Sequence, residues 1–316
     1  MLITMQNGFQ LRVFSGFLLI LLLISKLTFA EEVAVRLGFQ KKPLKTLSTK
    51  LARNPSLRGW DYLVTKLAAD NINPYILRKV YSSRRMPRFK PVEFKLKPRE
   101  KAAVYSSVTN KKNLGKARAY LKKHKRTFHR VWQHFKVNPY VITAILLIET
   151  RFGTATGRSS VLHRLSRMAS AADPDNIEHN YRKLKKEDPA VTLNDVRKRA
   201  LELEEMFYPE IPALFEIAQK RKIDIFRIKG SYAGAFGIPQ FLPTSYLKFG
   251  YDGNKDGIIS LFNEIDAIWS VANYLSSYGW KDSAPLTLQK KVIWHYNHSQ
   301  PYVDTVIKVA ELLKNY

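Results

Sequence analysis

The sequence predicts a mainly α-helical protein with a compact C-terminal half. Three observations carry that expectation. Apolar residues recur at helical spacing in several stretches, beginning with Trp60, Leu63, Val64, Leu67 and Ala68. Stretches that alternate apolar and polar residues as a strand would are few. Of the 316 residues, 45% are hydrophobic and 12% aromatic, enough for a substantial core in one large domain or two lobes.

Residues 1–30 stand apart. Arg12 precedes an apolar run over residues 13–24, interrupted only by Ser15 and Gly16, and Thr28 and Ala30 supply a small-residue end before Glu31. That order predicts a cleavable secretory signal. The alternative is an uncleaved anchor helix, for which the run falls short of the roughly 20 residues a span needs. The sequence contains no cysteine, which excludes a disulfide framework and a lipid carried on a thiol.

Residues 31–59 read as a basic arm. The region from 60 to 316 follows, with an N-terminal helical lobe over 60–113 and a core over 114–316. Residues 86–94, MPRFKPVEF, are broken by proline and predicted extended. Leu114, Ala117, Leu121, Phe128, Val131, Trp132 and Phe135 form one apolar stripe. Lys122, Lys123, Lys125 and Arg126 lie off it, and His124 lies on it as a packed core histidine. Asn138 and Pro139 open a helix that ends in Glu149. Residues 171–224 are highly charged, with helical spacing at Leu201, Leu203, Met206 and Phe207, and read as an inserted helical segment. Residues 230–237 read as a loop, and 266–278 and 303–313 as helices.

The formal charge of +27 predicts anionic partners. Nucleic acid is the first candidate for such a balance. Export argues against it, as does the lack of any recognisable recognition helix or RNA-binding motif. Cell-wall glycans and surface lipids are the anionic partners outside the cytoplasm. The competing reading is a solvated basic face.

Four constellations carry chemistry. The first is Glu149, which follows the apolar run VITAILLI at residues 141–148. Apolar surroundings and a helix C-terminus both disfavour a charged carboxylate, which suits a general acid. A surface pair with Arg151 or a lysine is the structural alternative. The second is GSYAGAFGIPQFLPTSY, residues 230–246. Gly230, Gly234 and Gly237 permit tight turns; Ser231 and Gln240 offer hydrogen bonds; Tyr232, Phe236 and Phe241 offer flat apolar faces suited to a sugar. No acidic residue occurs between Ile225 and Tyr251, so this stretch supplies no second carboxylate. An ordinary glycine-rich connection is the alternative.

The third is DGNKDGIISLFNEID, residues 252–266. Asp252, Asn254 and Asp256 occupy positions one, three and five of an EF-hand-like loop, with Gly257 at six and Ile258 at seven offering its main-chain carbonyl. Position twelve holds Asn263 rather than Glu, and Asp266 could close a longer loop. A structural Ca²⁺ site is expected; a metal-free turn rich in Asp and Asn is the alternative. The fourth is WHYNHSQPY, residues 294–302, in which Tyr296 and Asn297 pair a phenol with an amide. His295 and His298 flank them without a nearby carboxylate, a poor zinc signature.

Taken together and in this order, IETRFG, GSYAGAFGIPQFLPTSY, DGNKDGIISLFNEIDAIWSVANYL and YNHS resemble the lytic murein transglycosylase B family of bacterial cell-wall enzymes. The likeness runs from about Trp60 to the C-terminus. It implies a lysozyme-like catalytic domain with one catalytic glutamate, Glu149 by position. Ser231, Gln240, Tyr274, Tyr296 and Asn297 fall on the saccharide-contacting positions. Asp266 matches the aspartate that closes the family's long calcium loop. The implied setting is the periplasm, and a monomer acting on peptidoglycan strands, with loose association to an anionic wall or membrane surface.

The implied reaction cleaves the β-1,4 bond between N-acetylmuramic acid and N-acetylglucosamine. Glu149 protonates the glycosidic oxygen, the substrate's own N-acetyl group meets the oxocarbenium-like charge, and Glu149 then takes the proton of the C6 hydroxyl. A 1,6-anhydro ring results. The alternatives are a muramidase that uses the same glutamate to release a reducing end, and a non-catalytic, calcium-stabilised glycan-binding protein.

Overall fold

The computed structural model describes residues 54–98 and 100–315. The expected signal over 1–30, and all but the end of the basic arm, lie outside the described residues. In chain order the helices are α1 (Asp61–Ala69), α2 (Pro74–Tyr81), α3 (Lys111–Lys123), α4 (Lys125–Phe135), α5 (Pro139–Thr150), α6 (Val161–Met168), α7 (Pro174–Glu187), α8 (Leu193–Phe207), α9 (Glu210–Lys220), α10 (Pro243–Phe249), α11 (Glu264–Ser277), α12 (Leu286–Tyr296) and α13 (Gln300–Lys314). Two dipeptide strands, β1 (Ser159–Ser160) and β2 (Lys229–Gly230), are the sheet structure of the described residues. The fold is mainly α, as expected. No described helix is long and apolar enough to cross a membrane.

The described chain divides into two compact units, each discontinuous in sequence. One holds residues 100–159 and 229–315; the other holds 54–98 and 160–228. The boundary expected at 113/114 therefore falls near 98/99. The charged segment 171–224 lies within a unit that also contains residues 60–98 of the expected N-terminal lobe.

In the second unit, the charged helices bury one face each. Trp60, Leu63, Leu67, Tyr81, Leu165, Val196, Ala200, Phe207, Ile211 and Leu214 make its core. The extended segment predicted over 86–94 contains no helix and is held by side chains that supply its missing hydrogen bonds. Val92 N donates to Asn176 Oδ1 (2.7 Å), Asn180 Nδ2 to Val92 O (3.0 Å), and Arg167 Nε to Lys90 O (3.0 Å). Glu204 is buried and accepts from Tyr62 Oη (2.9 Å), Ala172 N (3.0 Å) and the Lys66 ammonium.

In the first unit, α5 is the central helix. Its residues Val141, Ile142, Thr143, Ala144, Ile145, Leu146 and Leu147 are all buried, and it packs against α13, α3, α11 and α4. Asn138 caps it by accepting from Val141 N (3.0 Å), with Pro139 at the first helical position. The stripe expected as one helix from Leu114 to Phe135 is two helices. His124 breaks it, sitting at φ −103°, ψ 19° between α3 and α4. The break resets the helical phase, so Phe128 and Val131 stay buried while Trp132 is 44% exposed. His124 itself is buried, with Nε2 3.1 Å from Glu264 Oε2. Lys122, Lys123, Lys125 and Arg126 are exposed, and Lys123 pairs with Glu264.

Candidate active site

Glu149 occupies the last turn of α5, and the turn beyond it is strained. Arg151, Phe152 and Gly153 all take left-handed backbone conformations, with φ of 51°, 60° and 89°. For the two non-glycine residues this costs about 1–2 kcal/mol each. Specific contacts hold the turn in place. Thr150 Oγ1 donates to Ile238 O (2.8 Å) and accepts from Gly153 N (2.9 Å). Phe152 stacks on Tyr120, ring centroids 4.2 Å apart at 15°. The abrupt stop leaves Glu149 half-buried at the end of an apolar helix.

Tyr302, fully buried on α13, donates its phenol to Glu149 Oε1 at 2.7 Å. The Glu149 carboxyl is pushed up to about 8. Burial is the main cause; the Tyr302 hydrogen bond opposes it, and the charge of Glu100 adds to it. Glu149 therefore holds its proton at neutral pH.

An aromatic wall continues from Tyr302. Its ring stacks on Tyr296 (6.3 Å, 9°), and Tyr296 meets Tyr274 (4.8 Å) and Phe241 (5.9 Å). Tyr274 and Tyr296 are buried, and their hydroxyls go to main-chain carbonyls: Tyr274 to His295 O (2.5 Å), Tyr296 to Pro239 O (2.6 Å). The rings thus pack on one another while the Tyr274 and Tyr296 phenols anchor loops.

The glycine-rich loop closes against the same turn. A Cβ at Gly157 (φ 86°) would come within 2.2 Å of Gly230 O, and one at Gly237 (φ 76°) within 2.3 Å of Leu261 Cβ. Gln240, at φ 52°, donates its amide to Gly237 O (2.8 Å) and Thr156 O (3.2 Å). Ser231 and Asn297 are each 5% exposed, and Ser231 Oγ and Asn297 Oδ1 are buried without a hydrogen-bond partner. Orphaned polar atoms are costly unless something else satisfies them.

The loop over residues 252–266 is built from carboxylates accepting main-chain N–H groups. Asp252 accepts from Asp256 N (3.2 Å) and Gly257 N (2.8 Å), Asn254 Oδ1 from Asp256 N (3.1 Å), and Asp256 from Ile258 N (2.8 Å). Asp266, fully buried, accepts from Gly253 N (3.0 Å), Asn254 N (3.3 Å) and Ser260 N (2.8 Å). Burial raises its pKa, those N–H groups oppose the rise, and the charge of Asp252 adds to it. Two like charges converging on an all-oxygen loop fit a hard divalent cation. No cluster of three or more His, Cys, Asp or Glu side chains positioned for a metal occurs among the described residues, so Asn254 and a main-chain carbonyl would have to complete the set.

Three residues of the site were not singled out from sequence. Tyr302 stood inside the WHYNHSQPY stretch, and its signal is its place in the first turn of a helix after the Ser299 cap. Tyr105 and Glu100 come from the segment before α3 and carry no local signal. Both carboxylate oxygens of Glu100 are buried.

Similarity to known proteins agrees with this geometry. Residues 58–292 match the family described as Transglycosylase SLT domain. The chain is 33% identical over 152 residues to membrane-bound lytic murein transglycosylase B of Escherichia coli K12, a match covering 48% of this chain and 34% of that relative. This chain thus spans about a third of that relative's length. Its fold resembles E. coli lytic transglycosylase Slt35 in complex with calcium, with a TM-score of 0.60 at 20% identity over 84% of this chain and 95% of that one. It also resembles SltB3 of Pseudomonas aeruginosa in complex with NAG-anhNAM-pentapeptide, with a TM-score of 0.59 at 18% identity over 81% of this chain and 78% of that one. The family match spans most of the chain and contains Glu149, the glycine-rich loop and the acidic loop: the chain belongs to the transglycosylase SLT domain family.

Proposed function

We propose that this chain is a peptidoglycan lytic transglycosylase that cleaves the bond between N-acetylmuramic acid and N-acetylglucosamine and leaves a 1,6-anhydro end. The observation that carries this reading is Glu149, a carboxyl at a helix end pushed up to about 8 and hydrogen-bonded by one phenol. An acid protonated at neutral pH can deliver its proton to the glycosidic oxygen as the C1–O4 bond breaks. As the resulting anion it can then accept the C6 hydroxyl proton while O6 bonds to C1. The proton count closes without water. The oxygens of Glu100 are sealed from solvent and cannot attack a sugar, so the substrate's N-acetyl group takes the nucleophile's place.

Ser231, Gln240, Tyr274, Tyr296 and Asn297 form the saccharide site in this reading. Ser231 Oγ and Asn297 Oδ1 supply the unspent hydrogen-bonding capacity, and Tyr274 and Tyr296 brace the main chain beside Asn297 and Gln240. Calcium would be held by Asp252, Asn254, Asp256, Asp266 and the main-chain carbonyl of Ile258, and would cross-link the loop to the start of α11 without entering the chemistry. The similar Slt35 structure, described with calcium, supports this assignment. The reading places the protein in the periplasm, acting on glycan strands as a monomer. The exposed Lys122, Lys125 and Arg126 support loose attachment to anionic wall polymer.

The test is mass spectrometry of muropeptides released from purified cell wall. Anhydro-muramyl products are expected. Reducing ends would assign a hydrolase, and intact wall would leave a binding protein.

A further inference from the structure

Two threonines of α5 use their hydroxyls differently. Thr143 Oγ1 donates to Pro139 O at 2.7 Å, one turn back along its own helix. That local bond is the ordinary use of a threonine hydroxyl inside a helix. Thr150, the residue after Glu149, spends its hydroxyl elsewhere. Its Oγ1 donates to Ile238 O at 2.8 Å, 88 residues away in the chain, and accepts from Gly153 N at 2.9 Å. Its carbonyl accepts from Ala155 N (3.0 Å) and from Thr154 Oγ1 (3.2 Å). Thr150 is 1% exposed, so this junction is closed to water.

Ile238 belongs to the glycine-rich loop that carries Ser231 and Gln240, and it is itself fixed. It is buried, and its N–H donates to Leu261 O at 2.7 Å. Its side chain fills the space beside Gly153, where an added Cβ would come within 3.2 Å of Ile238 Cγ1. One hydroxyl therefore joins the end of α5, the reversal at Arg151, Phe152 and Gly153, and the loop. Left-handed backbone at Arg151 and Phe152 persists only where the surroundings over-determine it. Glu149 stands one residue before this junction, with its Oε1 held by Tyr302 at 2.7 Å. A general acid works only when its proton is within hydrogen-bond reach of the atom it serves. Misplacement by about 1 Å can cost on the order of 100-fold in rate.

We propose that Thr150 is a positioning residue for Glu149: its buried hydroxyl, bonded at once to Ile238 O and Gly153 N, sets the acid at a fixed place relative to the glycine-rich loop over residues 230–240. It touches no substrate and acts through the main chain it shares with Glu149. The inference rests on the transglycosylase reading and adds what aligns its acid with the loop that holds the sugar. The requirement is for a group that donates and accepts together, which serine meets and valine does not.

Two measurements test it on the intact protein. One is the kinetics of cell-wall cleavage by the wild type, Thr150→Val and Thr150→Ser. Valine keeps the shape and loses both hydrogen bonds, so kcat should fall about tenfold, on the scale of a sub-ångström misplacement. KM should stay within about twofold, because Gln240 keeps its own bonds to Gly237 O and Thr156 O and sugar binding is not what the hydroxyl serves. Thr150→Ser should return kcat to within about threefold of the wild type. The other measurement is amide hydrogen exchange at Gly153, which requires no turnover. Exchange there should quicken by about tenfold or more in Thr150→Val and stay near the wild type in Thr150→Ser. Thr150→Cys, with a weaker donor of similar size, should fall between the two and serves if the valine variant does not fold. An undiminished kcat in Thr150→Val, an equal loss in Thr150→Ser, or a loss expressed in KM instead overturns the inference. A wild type that leaves cell wall intact overturns the transglycosylase reading instead, while exchange at Gly153 still decides whether the Thr150 hydroxyl holds the turn.

Discussion

Glu149 and Asp266 are two carboxylates withdrawn from water within one unit, and their surroundings diverge. Asp266 is fully buried and accepts three main-chain N–H groups. Glu149 is only half-buried and accepts one phenol. Burial pushes both toward the neutral acid, but at Asp266 fixed main-chain dipoles oppose it three times over. At Glu149 the single hydrogen bond loses to burial, and the carboxyl reaches about 8. The contrast shows how fixed donors offset desolvation at a carboxylate that braces a loop, while a single phenol leaves desolvation dominant at one that trades protons.

The sharpest break of that contrast is Glu149→Gln. The amide keeps the shape and can still accept from Tyr302, but it has no proton to give. Cleavage of cell wall should fall by about 10²–10⁴-fold, the range for a positioned general acid, with the melting curve nearly unchanged. Near wild-type turnover would remove Glu149 from the chemistry. Asp266→Ala should do the reverse. It strands three N–H groups at about 1 kcal/mol or more each, so on the order of 3 kcal/mol of stability goes. That is about a 10 °C loss in Tm by calorimetry, with the pH profile of any residual activity unmoved.

Calcium sharpens the same side. Its binding to the native state alone contributes about 2.7 kcal/mol at a hundredfold excess over Kd. Chelator should therefore lower the Tm of the wild type and of Glu149→Gln equally, and leave Asp252→Ala unmoved. A wild-type Tm indifferent to chelator would favour the metal-free turn.

How legible these two carboxylates are in the sequence follows from how local their causes are. The end of α5 is written within a few residues: Asn138 and Pro139 open it, an apolar octet fills it, and Gly153 marks the reversal. The acidic loop is legible for the same reason, since its Asp252, Asn254 and Asp256 spacing is contained in five residues. What escapes is remote. Glu100 and Tyr105 reach Glu149 across more than forty residues of chain, and Tyr302 across 153. Tertiary packing, not periodicity, gathers them. Periodicity itself misleads at His124, where an apolar stripe continues across a break that the backbone does not. The phenols of Tyr274 and Tyr296 are similar: the residue types suggest hydroxyls for a sugar, and the fold spends those hydroxyls on carbonyls.

Tyr302→Phe is the smallest and most diagnostic change, because it alters only the donor count at Glu149. The Tyr302 phenol donates to the carboxylate and so favours the anion, which lowers the acid's pKa against the effect of burial. Removing it takes away the one hydrogen bond opposing desolvation, so the pKa should rise further above about 8. The protonated acid then persists to higher pH. The alkaline limb of kcat/KM should move up by a few tenths to about one unit, in line with the 0.5–1.5 kcal/mol of an ordinary hydrogen bond. The ring stays to stack on Tyr296, so the melting curve should change little. The rate at the optimum should fall modestly, since the anion formed after proton transfer loses its stabilising donor. A limb that moves to lower pH would mean that Tyr302 holds the protonated form instead, and the contrast with the triply braced Asp266 would have to be redrawn around something other than donor count.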